Sequence, residues 1–417
     1  MLRVANSPRL GWQQAVEARG LTFHTLDGLP YWDESAYYLF ESAEIDRIEA
    51  ATQQLHEMCL QAAGHVIERG RLAELAIPQA FHPFIAQSWE RDERSIYGRF
   101  DLSYDGLGPP KMLEYNADTP TALLEASVIQ WFWLQDLIAQ VPSNERSSFD
   151  QFNSLHEALI AAWGRVKTQL GPNIHFASLP DLAEDVMTVT YLRDTAVQAG
   201  LKTLFIGVSD IGWNPGRRTF TDLREWSIDL IFKLYPWEWM LNESFSQFLP
   251  QASTRWLEPP WKMVLSNKAI LAILWEMFPG SPYLLPASFE PIGDTYVVKP
   301  IHAREGANVS IVEGGEITAE SDGPYGDTPV IYQAYQPLAD FAGRRPVLGS
   351  WIIDGEARGL GIREDDGPIT RNTSRFIPHL FRKYAHLKPP TFDPKGEPAT
   401  GNSGSNNGGV WDRWIDP

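Results

Sequence analysis

The stretch Ser95–Asp118, "SIYGRFDLSYDGLGPPKMLEYNAD", decides how the rest of the chain is read. Two β-prone runs, Gly98–Tyr104 and Lys111–Tyr115, flank the Gly/Pro-rich turn "DGLGPP", and that pattern predicts a hairpin. Side chains alternate between the faces of a strand. Arg99 and Asp101 therefore share one face of the first run, and Glu114 and Asn116 share one face of the second. The turn brings those faces together, just ahead of Asp118, Thr119 and Pro120.

Two carboxylates and an amide beside an arginine form an oxygen set that suits magnesium, which takes one or two carboxylates and completes its shell with water and phosphate oxygens. Asp101, Glu114 and Asn116 supply that set, and Arg99 would neutralise a phosphate held by the same ion. A solvated hairpin with ordinary polar residues accounts for the same spacing. Asp118 reads equally well as an N-cap-like turn residue, because "TALLEASVIQWFWLQDL" after Pro120 predicts a buried helix.

Working outward, Glu41–Arg69 places Ile45, Ile48, Ala51, Leu55, Met58 and Ala62 at three-and-four spacing, one long amphipathic helix that also carries Cys59. The middle of the chain alternates strand-like and helical runs. These are "NIHFASL", "EDVMTVTYLRDTAVQAG", "LKTLFIG" and "IDLIFKLY", an α/β texture. A helix, "NKAILAILWEMFPG", begins near Asn267. From Tyr296 onward short β-branched runs between Gly-rich and acidic turns predict an antiparallel sheet. The end, from Leu387, is rich in Pro, Gly, Ser and Asn and is expected to be mobile.

A chain of 417 residues with 43% hydrophobic content is expected to form two or three packed subdomains. Its net charge of −18 repels a nucleic-acid backbone and an anionic membrane surface alike. The one cysteine excludes an intramolecular disulfide framework and a multi-thiolate zinc site. With no signal-like apolar run at the N-terminus and no long uncharged stretch, a cytoplasmic location is the expectation. The nine histidines show no paired ligand spacing, and neither a nucleophile elbow nor a catalytic triad stands out.

A second candidate device is "YVVKPIHAREGANVSIV". Lys299 ends an apolar strand and is followed by a loop with Arg304, Gly306 and Asn308. A point charge beside backbone that glycine leaves approachable suits a phosphate. Arg304 adds a cation that could meet charge developing during phosphoryl transfer. A lysine and an arginine on a solvated hairpin fit the same letters. Lys268 reads as a helix-opening lysine, and Tyr332–Gln336, "YQAYQ", as a strand end or a hinge whose backbone pairs with adenine.

The set "GRFD…LEYNAD", "PPWK…SNKAIL", "YVVKPI…REGAN" and "IYQAYQ" resembles the synthetase domain of the glutathionylspermidine synthase family, within the ATP-grasp carbon–nitrogen ligases. The likeness runs from about Pro30 to about Pro378. It implies an ATP-grasp fold, with nucleotide between two α+β lobes, joined to a preceding α/β (pre-ATP-grasp) substrate domain. The expected division is residues 1–95, a hairpin and α/β domain at 96–262, nucleotide-binding lobes at 263–386 and a flexible tail at 387–417. The resemblance implies ATP as co-substrate with magnesium, two ions with the nucleotide, on Asp101, Glu114 and Asn116. It implies ATP contacts from Arg99, Asp101, Lys268, Lys299, Glu305 and Gly306, and an adenine hinge at Gln333, Ala334, Tyr335 and Gln336. Arg99, Arg304 and Arg363 would steady the transferring phosphoryl group. Thr119, Glu184 and Asp185 would meet the substrates, a peptide-like acid and an amine. An ATP-dependent phosphotransferase and a nucleotide-binding module without turnover are the competing readings. Amidase activity, which bifunctional members place on a separate cysteine domain, is not expected. Near the C-terminal end of the likeness, "ITRNTSRFIPHL" carries Arg371 and Arg375 where a polyamine would call for acids.

Overall fold

The computed structural model describes residues 1–26 and 28–392. Its centre is a five-stranded antiparallel sheet in the order Arg375–Phe376, Glu356–Asp365, Arg345–Ile353, Tyr97–Ser103, Lys111–Asn116. The hairpin forms with Arg99 opposite Asn116 and Asp101 opposite Glu114, a register that keeps these four side chains on one face, as alternation led us to expect. On one face Phe100, Leu102, Leu348 and Ile352 pack into the core with Ile48, Leu55, Met58 and Cys59 of the helix Ser42–Glu68. That helix starts where the Glu41 N–H donates to the Glu44 carboxylate at 2.9 Å. The opposite face carries Arg99, Asp101, Gly349, Trp351, Gly361 and Arg363, all lining one cavity.

A second antiparallel sheet, in the order Ala287–Ser288, Val330–Ala334, Tyr296–Pro300, Ser310–Glu313, Glu316–Glu320, forms the other wall of that cavity. The strands from Tyr296 onward are thus divided among three sheets, these two and a further one that takes His379–Arg382, where the sequence suggested one. The physical reason lies in Pro346–Ile353, which is buried along its whole length. A strand buried on both faces needs a neighbour on each edge and a layer on each side. It finds them between Glu356–Asp365 and the hairpin, so the hairpin is bonded to the last third of the chain.

The α/β texture is a parallel sheet, Arg255–Leu257, Leu230–Lys233, Asn173–Ser178, Lys202–Gly207. Helices Leu155–Leu170 and Ala183–Gln198 bury Trp163, Val166, Leu192 and Ala196 in the same core as Phe176 and Phe232 of its strands. A fourth sheet joins Leu2–Ala5, Ala36–Glu41, His379–Arg382 and Phe149–Asp150.

Three local expectations change. The helix after Thr121 has a π-helical turn at Glu125–Ile129 before its α-helical part, Gln130–Ala139. It is not wholly buried, since Trp131 and Phe132 are exposed and the Arg19 guanidinium covers the Phe132 ring at 3.9 Å. Lys268 precedes rather than opens the helix Ile270–Met277, and its N–H donates to the Ile301 carbonyl at 2.9 Å. In the expected tail, Leu387 and Phe392 are buried and Tyr37 donates to the Pro390 carbonyl at 2.7 Å. The tail from residue 393 on lies outside the described residues. Among the described residues no helix is long and apolar enough to cross a membrane. Burial pushes the Cys59 thiol far up, which suits packing and not nucleophilic chemistry.

His379 gives this fold a pH signature. The ring is fully buried, with Nδ1 2.9 Å from Gln130 Oε1, and burial lowers its pKa to about 3. An unfolded chain protonates the same ring near 6.5, so below that pH only the unfolded state gains the proton and stability falls as pH falls toward the folded value. Comparison of wild type with His379→Gln by urea denaturation is expected to show an extra loss of about 1 kcal/mol in wild type between pH 6 and pH 5. Equal losses in both proteins would remove His379 from the acid response.

Candidate functional site

The cavity between the two antiparallel sheets gathers every site residue expected from the sequence: Arg99, Asp101, Glu114, Asn116, Thr119, Glu184, Asp185, Lys268, Lys299, Arg304, Glu305, Gly306, Gln333, Ala334, Tyr335, Gln336 and Arg363 all line it. What holds them there is specific. Arg99 reaches back along its own strand, with Nε 2.7 Å from Asp101 Oδ1, Nη2 3.1 Å from Oδ2 and Nη1 2.8 Å from the Thr121 carbonyl. A Cβ on Gly349 would come within 2.9 Å of Arg99 Cδ, so the neighbouring strand leaves room for this arginine only as glycine.

Asn116 bridges the acids, its Nδ2 donating to Asp101 Oδ2 and Glu114 Oε1, each at 3.1 Å. Lys268 Nζ lies 2.9 Å from Glu114 Oε2 and also donates to the Ala303 carbonyl. Burial works against the Glu114 charge, yet Lys268 and Lys299 hold its pKa down at about 2. The donor set therefore fits a hard cation: two carboxylates, one held ionised, and an amide whose oxygen is a half-turn away. Among the described residues no group of three or more acidic, His or Cys side chains clusters as a self-sufficient metal cage. An ion here would draw its remaining ligands from phosphate and water, the habit of magnesium at nucleotide sites.

From the facing sheet, Lys299 Nζ donates to the Leu113 carbonyl at 2.9 Å and to Gln333 Oε1 at 2.7 Å, joining the two walls. Burial lowers its pKa to about 8, with Glu114 opposing. Arg304 Nη2 donates to Thr119 Oγ1 at 2.5 Å and to the Thr119 carbonyl at 3.3 Å. Its loop depends on Gly306, where φ is +72° and a Cβ would stand 2.3 Å from the Thr370 carbonyl oxygen.

The acidic end of the cavity is the first turn of helix Ala183–Gln198. Burial and the adjacent Glu184 raise Asp185 to about 7, and burial with Glu184 likewise raises Glu305. Arg363 occupies the same end. Its guanidinium lies 5.3 Å from the Tyr31 ring and donates to the carbonyls of Arg371, Asn372 and Ser374. Of the two arginines noted near the C-terminal end of the likeness, only Arg371 lines the cavity, its charge met by Asp365 at 2.9 Å. Arg375 is paired with Asp366 at 2.7 Å.

Sequence reading missed one residue of the cavity wall, Trp351, and two that contact its residues from outside, Glu238 and Tyr31. Glu238 stands 3.6 Å from Arg304, Trp351 lies beneath Arg99 at 5.7 Å, and Tyr31 hydrogen-bonds the buried Glu125 at 2.7 Å. A usable signal existed for Glu238. It follows the strand Leu230–Lys233 in "YPWEWM", and ligands gather at the carboxyl ends of parallel strands. Asp118 is no helix cap: both its oxygens are engaged by Lys233 and the Trp237 N–H.

Comparison with known proteins follows the same lines. A Haemophilus influenzae protein that carries the provisional name acid–amine ligase is 42% identical over 368 residues, covering 85% of this chain and 92% of its own. Trypanothione synthetase of Crithidia fasciculata is 30% identical, and the bifunctional glutathionylspermidine synthetase/amidase of Escherichia coli is 28% identical. The alignments cover 78% and 83% of this chain but only 53% and 59% of those longer proteins. In fold, the apo structure of a glutathione synthetase-like effector from Globodera pallida superposes with a TM-score of 0.54 at 10% identity, over 89% of this chain and 97% of that one. The family model for the glutathionylspermidine synthase pre-ATP-grasp domain matches residues 3–382, and with the arrangement above this places the chain in that family.

Proposed function

We propose that the protein is an ATP-dependent carbon–nitrogen ligase that joins a peptide-like carboxylic acid, glutathione-like in kind, to an amine through an acylphosphate. The observation that carries this reading is the opposition of Asp101, Glu114 and Asn116 on one wall to Lys299 on the other, with Arg304 touching Thr119 at their junction. A cleft for triphosphate and a seat for a second substrate thus share one arginine.

In the first step a carboxylate oxygen of the acid bonds to the γ-phosphorus and the bond to the ADP oxygen breaks. Anion meets anion, so cations must offset the repulsion. Lys299 and Lys268 hold the phosphates, while Arg99 and Arg304 face the transferring group. Magnesium, when bound at Asp101, Glu114 and Asn116, would neutralise charge on the phosphate oxygens. The amine nitrogen then bonds to the acyl carbon, phosphate leaves, and the ammonium proton must depart. Asp185, raised to about 7 by burial and Glu184, stands in the cavity wall as an acceptor. Gln333, Ala334, Tyr335 and Gln336 line the adenine end, and Ala303–Asn308 is the loop that would exclude water from the acylphosphate. The one cysteine is buried, in keeping with a reducing, cytosolic setting.

An ADP-release assay over glutathione and other small peptides, each with and without a panel of amines that includes spermidine, tests the proposal. ADP formation that needs both an acid and an amine, with an amide as product, is the expected result. ADP with accumulating phosphorylated acid would instead support the phosphotransferase reading, and silence across the panel would support an idle module.

A further inference from the structure

Asp118 follows the strand that carries Glu114 and Asn116, yet it is almost fully enclosed, at 1% exposure. Lys233 Nζ, equally enclosed, lies 2.6 Å from its Oδ1, and the Trp237 N–H donates to its Oδ2 at 2.9 Å. The Lys233 ammonium also sits 4.5 Å from the Trp237 ring centroid. One carboxylate thereby ties the turn after the hairpin to the end of a parallel strand and to the segment that follows it. The residue beyond Asp118 is Thr119, and the residue beyond Trp237 is Glu238. Those two are the residues that Arg304 engages across the cavity, Thr119 at 2.5 Å and Glu238 at 3.6 Å.

Packing alone does not call for this pair. A buried ion pair is often no more stabilising than apolar residues of the same volume, because both charges must leave water. A fork of two differently directed hydrogen bonds does what apolar residues cannot: it fixes the orientation of two segments relative to each other. We propose that Asp118 is a positioning residue for Arg304, holding Thr119 and Glu238 together as the seat onto which the Ala303–Asn308 loop closes. Only the catalytic consequence of this seat rests on the ligase reading. A second enclosed pair nearby provides the contrast. Glu258 Oε1 accepts the N–H groups of Ile96 and Tyr97, and Lys262 Nζ donates to the Tyr97 carbonyl at 2.7 Å, so the charged groups of this pair hold the start of the hairpin; the Glu258 backbone carbonyl, and not its carboxylate, accepts the Trp237 indole N–H at 3.1 Å.

Amide hydrogen exchange of the ligand-free protein tests the seat without any substrate. In Asp118→Asn, and in Asp118→Leu/Lys233→Met, which leaves no lone buried charge if the first variant folds poorly, exchange at the Trp237 amide and across 303–308 is expected to rise about tenfold. In Glu258→Gln/Lys262→Met, which likewise leaves no lone buried charge, 303–308 is expected to exchange as in wild type. Unchanged exchange at 303–308 in both Asp118 variants would overturn the proposal, as would an equal rise in Glu258→Gln/Lys262→Met. A double-mutant cycle adds the functional arm. Asp118→Asn should lower kcat about tenfold in wild type and have no further effect in an Arg304→Ala background. Independent, multiplicative losses would also overturn it. If wild type releases no ADP with any acid and amine, the ligase reading fails and the exchange result still decides the seat.

Discussion

Asp101→Ala and Glu114→Ala are each expected to abolish magnesium-dependent ATP turnover, a loss on the order of a hundredfold to a thousandfold or more in kcat, while the protein still melts cooperatively. The two acids face each other across the hairpin register and share Asn116 as a common donor. Either truncation would leave a magnesium ion bound there with a single carboxylate, and leaves a basic neighbour unmatched: Arg99 in the first case, Lys268 in the second. The fold is not at stake to the same degree, because both side chains project into the cavity and not into the apolar core. Turnover measured against magnesium concentration, beside a thermal melt, separates the two effects. Wild-type turnover in both variants would remove the proposed metal assignment.

Lys299→Ala is expected to weaken nucleotide binding by about ten- to a hundredfold, the range spanned by losing one charged hydrogen bond. The ammonium is buried, stands opposite the acids and bonds both the Leu113 carbonyl and Gln333. It thus binds as a charge and also as a strut between the walls. Lys299→Arg should not restore affinity, since a planar fork does not fit a point-charge seat between a carbonyl and an amide. Titration calorimetry with ATP and magnesium checks both variants, and unchanged affinity in Lys299→Ala would refute its assigned role.

Much of this was legible in local sequence. Alternation placed Arg99 with Asp101 and Glu114 with Asn116, because the face a strand residue takes depends only on its parity and on one tight turn. The long helix was legible for the same reason: its apolar spacing is a property of the segment itself. Partners across the fold were not. Nothing in "PVLGSWII" says that its edge will pair with Tyr97–Ser103 and not with Val330–Ala334. Trp351 reaches the cavity through such a distant pairing, and Glu238 and Tyr31 meet Arg304 and Arg363 through contacts of the same long range. The N-cap alternative for Asp118 fell because its partners, Lys233 and the Trp237 amide, lie more than a hundred residues away, out of reach of any local reading. The family resemblance supplied the candidate residues that spacing left undecided, and all of them line one cavity.

The pairing of the hairpin with Arg345–Ile353 bears on how the protein comes into being. Synthesis runs from the N-terminus, and long-range pairing is slow because distant segments must first meet. The acids and Arg99 leave the ribosome first, and the strand that flanks them and the sheet that supplies Lys299 are made about two hundred residues later. An unfinished chain therefore holds one wall of the cavity without the other. On the proposed reading, ATP consumption is expected only once the strands up to Asp365 have been made, and a fragment released before Tyr296 is expected to show none.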